Sequence, residues 1–107
     1  MKHYVWYRKE PTFCSDKSLT IRDIINTHVR VTAVFPTPVG YGETKENSLE
    51  DIYSYMQAER WSIFGTARPL IEALGLKHTS MSVGDLIEDE EGNFYEVDIV
   101  GFRKLEG

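Results

Sequence analysis

The chain has 107 residues, 41% of them hydrophobic and 12% aromatic, with one cysteine and a net charge of −5. That length suits one domain around one core, and the composition is that of a globular rather than a disordered chain. Excluded are an internal disulfide, a bilayer-spanning run of roughly 18 apolar residues, and a generally basic surface for a nucleic-acid backbone.

Cys14 stands alone, so a reducing, cytoplasmic setting is the expectation. The first residues, MKHYVWYRKE, lack the apolar centre of a secretory signal. The charge is unevenly spread. Residues 1–30 hold six basic and three acidic residues, a balance of +3; residues 31–107 hold six and fourteen, a balance of −8. Such acidity keeps a protein soluble and also suits a partner with a basic surface.

In chain order, residues 2–8 read as a strand, because aromatic and β-branched residues favour a pleated surface. Tyr4 and Trp6 share one face, Val5 and Tyr7 the other. Glu10-Pro11 ends it, and a loop over 9–17 carries Cys14. Ser18 to Thr27 reads as a short helix with Asp16 or Ser18 as its cap. His28 to Phe35 alternates cleanly: Val29, Val31, Ala33 and Phe35 on one face, His28, Arg30 and Thr32 on the other. Pro36 and Pro38 end this strand, and a surface loop follows. Its Gly40-Tyr41-Gly42 lacks the spacing of a phosphate-binding loop.

Ser48 to about Arg60 is the clearest helix. Ser48 with Asp51 forms a capping-box variant, and Leu49, Ile52, Tyr53 and Met56 recur at core spacing. Trp61 to Gly65 is a hydrophobic connector. A second helix over about 67–74 has Pro69 in its first turn, Gly75 past its end, and Leu70, Ala73 and Leu74 facing inward. Val83 to Ile87 and Phe94 to Arg103 then read as a hairpin turning at Glu90-Glu91-Gly92-Asn93, with Gly101 as a bulge or bend. Residues 85–98 hold seven carboxylates and no Lys or Arg, so mutual repulsion is expected there.

The chemistry-bearing residues are few. His3, His28, His78 and Cys14 have no ligand spacing, and the carboxylates lack a calcium-loop pattern, so no metal or cofactor is assigned. His78, Ser80, Ser82 and Asp85 are the parts of a hydrolytic triad, but sequence proximity does not assemble one and no nucleophile elbow is present. The aromatic and basic N-terminal strand has some character of a base-stacking surface, which the acidic total opposes. Protein binding remains. Trp61, Phe64 and Arg68 are of the types that anchor interfaces, and Glu88, Asp89, Glu90 and Glu91 form an acidic turn.

The segments SLEDIYSYMQ, HTSMSVGDLIE and GNFYEVDIVGFRKL together resemble the YodL-like domains, over about residues 45–105. The matching positions are Leu49, Glu50, Asp51 and Tyr53 on the helix. On the first strand they are His78, Ser80, Ser82, Val83, Gly84 and Asp85, and on the second Tyr95, Val97, Asp98, Gly101 and Phe102. The resemblance implies a small α+β module of phages, plasmids and other mobile elements, and no enzymatic activity. It also makes His78, Ser80 and Asp85 candidates for a partner site, against the preferred reading that this pattern is the fold's own hinge.

The expectation is one α+β domain with an antiparallel sheet of about four strands, two or three helices packed on one face, and a C-terminal β-hairpin. Its expected function is non-enzymatic binding and modulation of a host protein. The alternatives are an acidic DNA-mimic inhibitor and a small hydrolase or nucleic-acid-processing enzyme using His78.

Overall fold

In the computed structural model, residues 2–10, 18–34, 45–62 and 65–106 are described, with the backbone alone for 45–48 and 59. Strand β1, His3–Arg8, lies in the middle of the fold. On one side it pairs antiparallel with β2, His28–Val34, and on the other with β3, Leu86–Glu88. Strands β4, Phe94–Val97, and β5, Phe102–Lys104, complete an antiparallel sheet of order β2-β1-β3-β4-β5. The helical elements are α1, Ile24–Thr27, preceded by a 3-10 turn; α2, Lys45–Tyr55; and α3, Arg68–Ala73.

The sheet has five strands rather than four. The segment expected as one strand over 94–103 folds back at residues 98–101, where the Asp98 N–H donates to the Gly101 carbonyl and Gly101 has φ 78°. Glycine takes that left-handed conformation at little cost. The C-terminal hairpin thereby becomes a three-strand meander.

Helical segments cover both faces of the sheet, not one. Val5, Tyr7, Ile87 and Val97 pack against Leu49, Ile52 and Met56 of α2 and Ile71 of α3. The alternate residues Trp6, Leu86 and Phe94 pack with Leu105 against Leu19 and Ile24, which flank and begin the short helical segment. A Thr20–Asp23 capping box starts that segment, rather than Asp16 or Ser18. Phe94 meets Trp6 edge to face at 5.9 Å, a geometry aromatic quadrupoles favour.

A bulge alters the alternation expected of β2. Val5 pairs with Thr32 and Trp6 with Arg30, which leaves Val31 as an extra residue. The buried positions are therefore His28, Val31 and Val34, and Ala33 does not continue the Val29–Val31 core row. Phe35 lies outside the described residues, as do Cys14, Pro36, Pro38 and the Gly40-Tyr41-Gly42 loop.

Helix α2 begins at Lys45, three residues before Ser48, whose side chain is outside the described set. Its expected stripe of Leu49, Ile52 and Met56 is buried. In α3 the inward positions are Ala67 and Ile71, while Leu70 is 39% exposed and Ala73 is exposed. The helix is thus rotated from the expected Leu70–Ala73–Leu74 face. It ends as a Schellman motif: Gly75 N–H bonds to Glu72 O, Leu76 N–H to Ile71 O, and Gly75 has φ 72°.

Candidate functional site

The 78–85 loop is organised from within by the Asp85 carboxylate, which is 0% exposed. Its Oδ1 accepts the Arg8 backbone N–H at 2.7 Å, and its Oδ2 accepts the Ser82 backbone N–H at 2.8 Å. His78 Nε2 lies 2.8 Å from Oδ2 and 3.1 Å from Oδ1. A carboxylate only accepts, so His78 carries its proton on Nε2. Gly84, at φ 93°, allows the turn that brings its own N–H to Val97 O. Met81 N–H bonds to Met56 O and Gln57 Nε2 to Met81 O, which docks the loop on the end of α2.

Tyr7 forms the loop's floor. The His78 ring stacks on it at 4.7 Å and 16°, and its hydroxyl donates to Thr79 O at 2.8 Å. Burial, with the Asp85 charge as the smaller cause, pushes the Tyr7 phenol well above its usual range. Behind the loop, His28 Nε2 meets Gly84 O at 2.7 Å. A carbonyl only accepts, so this nitrogen too carries a proton. Burial pulls the His28 pKa down, opposed by the Gly84 hydrogen bond and the Asp85 charge.

The pattern holds its aspartate and histidine together but brings no serine to the imidazole. Ser80 Oγ donates to Trp61 O at 2.8 Å, and Ser82 Oγ leans on Asp85 itself at 3.5 Å. His78 Nδ1 is buried and has no hydrogen-bond partner. In a Ser-His-Asp triad that nitrogen faces the nucleophile. Among the described residues, no three of His, Cys, Asp or Glu are grouped to hold a metal ion.

The seven carboxylates of residues 85–98 do not form a patch; five of them are engaged inside the fold. Besides Asp85, Glu88 accepts the Trp6 indole N–H at 3.1 Å and lies 3.9 Å from Arg30. Asp89 is buried and accepts the Glu91 and Asn93 backbone N–H groups and the Asn93 amide, closing the β3–β4 turn. Glu96 is buried against Arg103 at 2.8 Å, and Asp98 accepts the Ile99 N–H. Glu90 and Glu91 are exposed at the turn. The expected repulsion is thus met by specific donors.

Three residues expected on a partner surface lie inside instead. Trp61 is 1% exposed and sits edge to face with Tyr7, while Asp85 and Asp89 are consumed as described. Ser80 and His78 are half-buried and hydrogen-bonded to the fold. Arg68 is exposed and pairs with Glu72 one turn on, at 2.9 Å. Phe64 lies outside the described residues.

The exposed chemistry is elsewhere. Ile99 is 70% and Val100 89% exposed, at the tip of the β4–β5 turn. Beside them α2 and the turn enclose a cleft of about 350 Å³, lined by Glu50, Tyr53, Ser54, Asp98, Ile99 and Phe102 among others. Tyr53 and Phe102 meet edge to face at 6.3 Å. The sequence signal for this tip is Asp98 and Gly101 bracketing two apolar residues, a turn frame with unusual contents.

No helix among the described residues is long and apolar enough to cross a membrane. No protein-family model, curated protein or solved structure matches the chain.

Proposed function

We propose that this domain is a non-enzymatic protein-interaction module that docks its partner at the β4–β5 turn and the cleft beside it. The carrying observation is the Ile99–Val100 tip. Turns are normally made of Gly, Asn, Asp, Pro and Ser, and this one holds two β-branched apolar side chains in solvent. Burying such a side chain is worth roughly 1.5–3 kcal/mol, a gain the isolated domain leaves unrealised and a partner can collect. The acidic charge contributes long-range steering rather than a row of phosphate-like groups, because five of the carboxylates around the β3–β4 hairpin are already engaged. The resemblance to YodL-like domains supplies the setting of the proposal: an accessory protein of a phage or other mobile element acting on a host protein.

The test is affinity capture from a bacterial lysate with the intact chain and with an Ile99→Ser/Val100→Ser variant. A protein captured by the first and absent from the second is the expected result. Equal capture by both, or none by either, counts against the module as described.

A further inference from the structure

We infer that the cleft between α2 and the β4–β5 turn receives a basic, apolar segment of a different protein: one large apolar side chain with a lysine or arginine close beside it. This inference rests on the interaction reading and names the chemistry of the partner. The cleft has two kinds of surface. Tyr53 and Phe102 present aromatic rings in edge-to-face contact, extended by Ile99 at the tip. Such a surface takes an apolar anchor, and buried anchors of this kind dominate interface energetics. The ionisable groups that line the cleft are Glu50 and Asp98, and neither Lys nor Arg lines it. Glu50 is exposed on the solvent side of α2, and Asp98 sits at the base of the turn. A cation placed next to the apolar anchor therefore meets a carboxylate on either flank.

The same charges argue against the other occupants. Nucleic acid would bring phosphates to two carboxylates on an acidic chain. A second copy would set Glu50 and Asp98 of each molecule against their equivalents, with a net charge of −5 on both chains. A segment that is basic as well as apolar removes both penalties. Opposite charge also raises the rate of encounter and makes it salt-sensitive.

The experiment uses the full chain, immobilised, against a phage-displayed library of short random peptides. The selected peptides are then titrated against four proteins: the parent, Val100→Ser, Glu50→Lys, and a Glu90→Lys/Glu91→Lys control. All the substituted side chains are exposed, and thermal melts check that each variant folds like the parent. The expected result is a shared motif of a large apolar residue beside Lys or Arg. Its affinity should fall about tenfold or more with Val100→Ser and with Glu50→Lys, as for an anchor residue, and hold in the control.

Peptides without a basic residue, or indifferent to Glu50→Lys, overturn the assignment but leave the module reading standing. Binding lost only in the Glu90/Glu91 variant moves the site to the β3–β4 turn and overturns the inference. Concentration-dependent self-association abolished by Val100→Ser shows that a second copy occupies the face, and also overturns it. An empty selection sinks the inference as well; the lysate capture with the tip variant then decides separately whether the module reading falls with it.

Discussion

His78 and Asp85 are joined at 2.8 Å across a loop that they themselves close, and the imidazole nitrogen turned away from the carboxylate is buried without a partner. The pair is built as a brace. It ties the loop to Tyr7 by stacking and to β1 by the Arg8 N–H.

Asp85→Ala should therefore cost stability rather than surface affinity. It strands the Arg8 and Ser82 N–H groups and His78 Nε2, all enclosed around a fully buried carboxylate. Removing one partner of a buried pair costs about 3–5 kcal/mol, and each orphaned donor adds to the loss. Urea unfolding measures it. A midpoint within error of the parent would show that the brace carries no load.

His78 contributes through two separable contacts. His78→Phe keeps a ring over Tyr7 and loses the hydrogen bond to Asp85, a loss of about 1.5–3 kcal/mol for a bond to a charged group. His78→Ala loses the stacked pair as well, about 0.5–1.5 kcal/mol more. Equal unfolding free energies for the two variants would remove the stacking contribution.

Stability should fall in mild acid through His28. Its folded pKa lies below the ordinary histidine value of about 6.5, chiefly because the ring is buried. Between the folded and unfolded values the unfolded chain binds more protons, so stability rises with pH there. The contribution is complete above about 6.5 and is lost as pH falls through the folded value. Asp85, Arg8 and His78 all act on this ring, so the slope is read by difference: His28→Gln should flatten the pH dependence of unfolding in that window. An unchanged slope would assign it to another group.

The β3–β4 turn separates structural from surface carboxylates. Asp89→Ala removes the acceptor of two backbone N–H groups and should cost about 1–3 kcal/mol. Glu90→Gln with Glu91→Gln, one residue further on, should stay within about 0.5 kcal/mol of the parent. Thermal melts of the two proteins compare them directly, and a reversed order would contradict the turn's hydrogen bonding.

Strand β1, helix α2 and the β3–β4 hairpin are legible because their apolar spacing matches one period throughout. Two departures are not. At Val31 a single inserted residue moves the core row from Ala33 to Val34, and nothing in a β-branched run marks where a bulge falls. At residues 98–101 the apolar pair Ile99–Val100 continues a strand-like pattern, so its hydrophobicity concealed the turn that Asp98 and Gly101 make. The candidate site divides the same way. His78, Ser82 and Asp85 cluster visibly in the sequence, but the Arg8 N–H that completes the carboxylate's shell comes from 77 residues away. Charge patterning showed the acids without their donors, so residues that brace the interior looked like surface.

The central position of β1 also sets a timetable. Trp6 reaches Glu88 across 82 residues of sequence, and the partner strand of β3 extends to Val97. During synthesis β1 can pair with β2 early, but its other edge stays open until nearly the whole described chain has left the ribosome. Pairings this distant in sequence are slow to form, and an unpaired strand edge is where a nascent chain finds wrong partners. Truncation before Phe94 should therefore yield an aggregating β1–β2 fragment rather than a smaller stable domain.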